Sequence, residues 1–318
     1  MFKLTIAIPT YNRSEYLSIC LKSLDDALPD NYDELEILVI DNNSTDGTQL
    51  NVMKFQDRMR IRYIKNKSNI GPDENFKKCI KEASSKFVWI FGDDDVFFNG
   101  SISYILDIIN TYKDVGLIHL RAKNFKNDDE LLNYKLSKYH HEVINSKELF
   151  LKKVHTNITF ISANIVNKKL LIDIDLNKIP NNNLGQVYWN MTSIIEAREN
   201  IFCGSEIFAG RQFNSANYEF CKIFGESFMD ILNLINDKYD VKPLIKIIKN
   251  RLLIFYYPAN IARIRNEISK IKYSDNCFSI FYPKFKYNLY FWIFTVPAII
   301  LPSKITLYLV NFAEKIRK

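Results

Sequence analysis

Hydrophobic and polar positions change their period repeatedly along the first 125 residues. Short apolar runs at 3–9 (KLTIAIP), 35–41 (LEILVID), 61–66 (IRYIKN), 86–91 (KFVWIF) and 115–122 (VGLIHLRA) carry β-branched residues, which predicts buried strands. Helical spacing fills the intervals. SEYLSICLKSLDDA at 14–27 lines Leu17, Cys20, Leu21 and Leu24 along one face, with Ser14 placed to cap it. TQLNVMKFQDR at 48–58 is a weaker helix, PDENFKKCIKEASS at 72–85 has Pro72 suited to a first turn, and SISYILDIINTYK follows at 101–113. Strands alternating with helices predict an α/β fold with a mostly parallel, doubly wound sheet and helices on both faces.

Ligands of such sheets bind beyond the carboxyl ends of the strands, where loops converge. Three polar clusters fall there: TYNR after the first strand, DNNSTDGT after the second, and GDDD after the fourth. Asp93, Asp94 and Asp95 are adjacent like charges that repel one another, and a bound cation removes that penalty. Carboxylate oxygens are hard ligands, and Mg²⁺ or Mn²⁺ binds through one or two of them plus substrate phosphates. Neither a G-x-G-x-x-G after the first strand nor a G-x-x-x-x-G-K-[ST] occurs, so phosphates must be held in some other way.

The 318 residues carry a net charge of +7, with Lys and Arg dispersed apart from a denser supply beyond Lys242. That distribution suits an anionic surface or substrate better than nucleic acid. The five cysteines are widely spaced with no C-x-x-C pair, which predicts reduced thiols in the core. The opening MFKLTIAIPTYNR is too short in its apolar part for a signal sequence, so no export is expected.

Beyond residue 215 the sheet pattern stops and two long helices are predicted, YEFCKIFGESFMDILNLIND and the stretch beginning KPLIKIIKN. Lys242, Lys246, Lys249, Arg251, Arg263 and Arg265 give the second a basic face. Residues 287–310 (YNLYFWIFTVPAIILPSKITLYLV) have an uncharged core that is short for a span and is interrupted by Pro297 and Pro302. With Tyr287, Tyr290, Phe291 and Trp292 at one end and Lys304, Lys315, Arg317 and Lys318 after it, the segment reads as an interfacial membrane element, with a buried core helix as its competitor.

Taken in series, IAIPTYNR (6–13), VIDNNSTDGT (39–48), NIGPDENF (69–76) and IFGDDD (90–95) resemble the nucleotide-sugar-binding half of family 2 glycosyltransferases, which have the GT-A fold. The run GDDDVF and the basic tail resemble the abequosyltransferase-like group within it. The resemblance implies that Thr10, Tyr11 and Arg13 flank the base and ribose, and that Asp41 hydrogen-bonds the base. It puts Asn69 and Asn75 near the donor, although both can equally stabilise the following helix. Asp93 would approach the ribose and Asp95 the divalent cation, both matching the D-x-D pattern, with Asp94 turned toward sugar hydroxyls. Asp46 and Gly47 read as turn residues.

Inverting members of the family carry an acidic general base at the opening of a helix, and here Gly185 and Gln186 stand before VYWNMTSIIEA. Glutamine cannot take a proton in this way, so Gln186 and His155 remain the acceptor-side candidates. The domain reading is 1–214 for the glycosyltransferase unit, divided into a nucleotide-sugar half at 1–122 and an acceptor half at 123–214, and 215–318 for a helical, membrane-associating region. The implied activity is inverting, metal-dependent transfer from a nucleotide sugar to a lipid-linked oligosaccharide of a surface polysaccharide such as O-antigen or capsule. The expected position is peripheral, at the cytoplasmic face of the inner membrane, or else cytoplasmic. The alternatives are a non-catalytic binding protein on the same fold and a nucleotidyltransferase, whose early Gly-rich basic loop is missing here.

Overall fold

The computed structural model describes residues 2–132, 134, 137–212, 219–268, 271 and 276–317. Its first part runs β1 (Leu4–Thr10), α1 (Ser14–Ala27), β2 (Leu35–Asp41), α2 (Thr48–Gln56), β3 (Ile61–Lys65), α3 (Pro72–Glu82), β4 (Phe87–Ile90), β5 (Val96–Phe97) and α4 (Ser101–Thr111). It continues with β6 (Leu117–Phe125), α5 (Asp129–Leu132), β7 (His141–Ile144), α6 (Lys147–Val154), β8 (Asn164–Asn167), α7 (Gly185–Glu196) and β9 (Asn200–Arg211). The predicted strands and helices of the first 125 residues are all present, most of the helices ending a few residues early.

The sheet order is β3-β2-β1-β4-β8-β6-β9-β5, with β7 also pairing β9. From β3 to β4 every pairing is parallel, and every residue of β1 and β2 is buried, as expected of strands covered on both faces. Beyond β4 the sheet is mixed: β8 runs antiparallel to both β4 and β6, β9 is parallel to β6, and the short β5 and β7 lie antiparallel to β9. Trp89, Phe91, Phe97 and Phe208 pack as one aromatic group, with Phe91 stacked on Phe97 at 3.8 Å. This rigid floor underlies the turn between β4 and β5, residues 91–95.

Two expectations change. Ser14 does not cap α1; Asp46 accepts its backbone N–H at 3.0 Å, and Asn51 reaches its hydroxyl at 2.7 Å. Cys20, Cys79 and Cys203 are buried free thiols, but Cys221 and Cys277, with Cα atoms 5.3 Å apart, form a disulfide. Their 56-residue separation hides a proximity that only the folded helices create.

The chain divides into two compact units. The first comprises Met1–Phe150, Asn157–Asn181 and Gly185–Gln212; the second comprises Leu151–Thr156, Asn182–Leu184 and Phe213–Lys318. The boundary expected between 214 and 215 lies outside the described residues, as does Lys318. In the second unit two helical stretches, 220–239 and 242–265, each contain a π-helical turn, Ile223–Ser227 and Leu252–Tyr256. Tyr257 is sealed between them: its hydroxyl donates to Phe224 O at 2.7 Å and its ring stacks on Phe281 at 4.6 Å. Gly225 lies so close to Phe281 that a Cβ would sit 2.3 Å from the ring, so no larger residue fits. Arg265, expected on a basic face, instead donates to Ala298 O and Leu301 O at 2.8 Å each. Among the described residues no helix is long and apolar enough to cross a membrane.

Candidate active site

The acidic triplet occupies the turn that follows β4. Asp95 N–H donates to Gly92 O at 3.2 Å, closing the turn, and Gly92 N–H donates to Ser162 Oγ at 2.8 Å. A Cβ on Gly92 would lie 3.1 Å from Asp94 Oδ1, 3.1 Å from Asp95 Oδ2 and 3.3 Å from Ser162 Oγ, so glycine is what lets these oxygens gather there.

Each carboxylate has its own environment. Asp93 is 4% exposed; Thr10 Oγ1 donates to its Oδ2 at 2.7 Å, and Arg13 lies 3.0 Å from its Oδ1. The other arm of Arg13 pairs with Asp94 Oδ2 at 2.7 Å, and the guanidinium rests over the Tyr16 ring. Asp95 is 3% exposed; Arg211 N–H donates to its Oδ1 at 2.9 Å and the Ser162 hydroxyl also hydrogen-bonds it. Burial pushes the Asp93 carboxyl up to about 7 against the pull of Arg13, and burial with the charge of Asp94 pushes Asp95 up to about 8. Despite Arg13, the pair remains short of positive charge.

That deficit fits a hard divalent cation. Among the described residues no three potential metal-ligating side chains converge. An ion here would therefore take one or two carboxylates and complete its shell from other oxygens, the usual mode for Mg²⁺.

Other predicted residues serve neighbouring loops. Asp41 is 0% exposed, its Oδ1 accepting Ser44 N–H at 2.7 Å and its Oδ2 the Tyr63 hydroxyl, so a nucleotide base would have to displace Tyr63 to reach it. Asn69 and Asn75 knit the 66–71 loop to β2: Asn42 donates to Asn69 Oδ1 at 2.8 Å, Asn66 to Asn75 Oδ1 at 3.0 Å, and Asn75 to Ile40 O at 3.2 Å. Tyr11 is exposed at the end of β1. Asp46 ties α1 to α2 through Ser14 and Thr48, the turn role expected of it. Gln186 opens α7, its amide donating to Thr159 O at 2.9 Å. His155 belongs to the second compact unit, where it starts a 3₁₀ turn with φ +40° and Nδ1 lies 3.1 Å from Thr156 Oγ1.

Two contributors were not among the residues expected from the sequence. Ser162 precedes β8 by two residues, and Arg211 is the last residue of β9. Arg211 Nε donates to Asp94 O at 3.2 Å, its guanidinium pairs with Asp128, and it lies over Phe125 at 4.4 Å and Tyr16 at 5.3 Å. A polar residue closing a buried strand is the one hint available.

The profile of the family described as Glycosyl transferase family 2 matches residues 5–174, more than half of the chain. Abequosyltransferase RfbV of Salmonella typhimurium is 36% identical over 116 residues, 36% of this chain and 34% of that protein. The GalNAc(5)-diNAcBac-PP-undecaprenol beta-1,3-glucosyltransferase of Campylobacter jejuni is 35% identical over 112 residues, 35% of each. The chain thus matches about a third of the length of these relatives. Among solved structures, the 1-349 form of S. aureus TarS in complex with UDP superimposes with a TM-score of 0.62 at 16% identity, covering 93% of this chain and 91% of that one. Mannosyltransferase PcManGT from Pyrobaculum calidifontis, in complex with GDP-Man and Mn²⁺, gives 0.56 at 14% identity over 98% and 88%. At such identities the likeness shows the GT-A fold.

Proposed function

The chain belongs to glycosyl transferase family 2, and from that premise we propose that it moves a sugar from a nucleotide-sugar donor to a growing, lipid-linked oligosaccharide with inversion at the anomeric carbon. The observation that carries this reading is the turn after β4, where two nearly sealed carboxylates gather, Asp93 paired with Arg13 and Asp95 held by the neutral donors Ser162 and Arg211 N–H. Asp95, with Asp93 beside it, would hold Mg²⁺ or Mn²⁺, which when bound supplies positive charge to the departing diphosphate. The chain's own residues set the site in advance. Thr10 and Arg13 fix Asp93, Ser162 and the Arg211 backbone fix Asp95, and Asp94, the most accessible of the three, is left to face hydroxyls of the donor.

The setting we infer is synthesis of a surface polysaccharide such as O-antigen or capsule, at the cytoplasmic face of the inner membrane. The PP-undecaprenol in the name of the Campylobacter relative supports a lipid-linked acceptor. The second unit supports the membrane position, since Tyr287 is 93% exposed and Leu289, Trp292, Ile300, Tyr308 and Phe312 are also exposed. Lys286 precedes these residues and Lys304 stands among them, a pattern suited to anionic headgroups.

Calorimetric titration of UDP, GDP, CDP and dTDP, with Mn²⁺ and then with a chelator, tests the donor site. One nucleotide binds in a Mn²⁺-dependent way, and Asp95→Ala weakens it by at least about tenfold, since even partners of metal ligands are worth that much. Equal affinity with and without Mn²⁺ would remove the metal from the reading. For the membrane, sedimentation with phosphatidylglycerol vesicles should capture the protein and added salt release it. Equal capture by phosphatidylcholine would discard the electrostatic part.

A further inference from the structure

An acidic residue of another helix stands at the opening of α7. Asp73, the second residue of α3, is 6% exposed, and its Oδ1 lies 3.7 Å from where a Cβ on Gly185 would stand. Its carboxylate therefore packs against the first turn of α7, whose free N–H groups and dipole favour negative charge. Buried Lys77 fastens α3 in place, donating at 2.7 Å to both Ile179 O and Asn181 Oδ1 in the strand of chain that leads to α7, and at 2.8 Å to Glu74.

A second observation comes from the next residue along α7. Gln186 is 5% exposed, and among the described residues its Oε1 has no hydrogen-bond donor. An unfilled buried acceptor costs about 1–3 kcal/mol, so a substrate group that donates is the natural occupant. The spot shares its support with the acidic turn. Gln186 Nε2 holds Thr159 O, and three residues later Ser162 holds Gly92 and Asp95.

We propose that Asp73 is the general base, with Gln186 Oε1 accepting a hydrogen bond from a neighbouring hydroxyl of the same acceptor. The assignment rests on the glycosyl-transfer reading. As the acceptor oxygen bonds to the anomeric carbon, its proton passes to the Asp73 carboxylate. The bond from that carbon to the diphosphate oxygen breaks, and its electron pair leaves with the nucleoside diphosphate.

The test needs no known acceptor, because water serves. UDP-, GDP-, CDP- and dTDP-linked hexoses are screened for nucleoside diphosphate release by the full chain, and the active donor is then used with variants. Asp73→Asn should lower kcat by about 10²–10⁴-fold while nucleoside diphosphate affinity and donor KM stay within about threefold. Formate or azide should restore at least about tenfold of the turnover lost in Asp73→Ala, a rescue that a structural role would not show. Turnover of Asp73→Asn near that of the wild type would overturn the assignment. So would a fall in nucleotide affinity that matches the fall in turnover, since Asp73 would then serve the donor or the fold. If the wild type binds none of the four nucleotides, the glycosyl-transfer reading itself fails and takes this assignment with it.

Discussion

The parallel half of the sheet, β3-β2-β1-β4, and the mixed half, β8-β6-β9-β5, both deliver polar groups to the acidic turn, but across different stretches of chain. In the parallel half each loop follows its own strand, so Thr10 and Arg13 arrive together from one tetrapeptide, TYNR. In the mixed half the contributions are single residues. Ser162 comes from a 3₁₀ turn before β8, and Arg211, 116 residues from Asp95, closes β9. Local motifs thus prepare one side of the site, while long-range strand pairing completes the other.

The strongest test of this contrast sets Arg211→Ala beside Arg13→Ala. Arg13 holds two carboxylates, one of them buried, so its loss leaves Asp93 with less compensation and should cost about 1–3 kcal/mol of stability by melting. Arg211 keeps its backbone bond to Asp95 in any variant, and what Arg211→Ala removes is a guanidinium clamped between Phe125 and Tyr16 beside Asp94. Turnover should fall by about 10²-fold, the scale for deleting one electrostatic stabiliser, with Arg211→Lys recovering only part because lysine lacks the planar fork. Should Arg211→Ala melt early and turn over normally, the mixed half contributes scaffold alone.

This division also explains what could be read beforehand. The four motifs of the first 95 residues were legible because their residues are contiguous and sit at predictable strand ends. The structure gives these residues partners within the chain. Arg13, expected beside the base and ribose, pairs with Asp93 and Asp94, and Asp41 is closed off by Ser44 and Tyr63. Asn69 and Asn75 accept hydrogen bonds from Asn42 and Asn66. Ser162, Arg211 and the approach of Asp73 to Gly185 were not legible, because each depends on partners far away along the chain. The two-residue β5 and four-residue β7 are too short to show a period, and both exist by pairing with the long β9.

The smaller test uses pH, because the carboxylates after β2 and after β4 are shifted in opposite directions. Burial raises Asp46, but hydrogen bonds from Thr48 and from the Ser14 N–H outweigh it and hold the carboxyl below its ordinary range. Its contribution to stability is therefore present at neutral pH and is lost only as pH falls through the acid range. Asp93 and Asp95, raised to about 7 and about 8 chiefly by burial, keep their protons in the fold after an unfolded chain would have lost them near pH 4. The folded state then binds more protons between those limits, so cation-free stability declines as pH rises toward 8. Cation binding has the opposite sign, since each carboxyl must first lose its proton. Mn²⁺-dependent nucleotide affinity should rise by about tenfold or more from pH 6 to pH 8, about tenfold per unit for each proton released, and level off above. Melting curves over the same range should slope downward without Mn²⁺ and flatten with it and the bound nucleotide. In Asp93→Asn, which cannot ionise, the cation-free slope should shrink. Parallel slopes in the presence and absence of Mn²⁺ would mean that the acidic turn ionises without consequence for binding, and the pairing of Arg13 with Asp93 would then be sufficient to neutralise it.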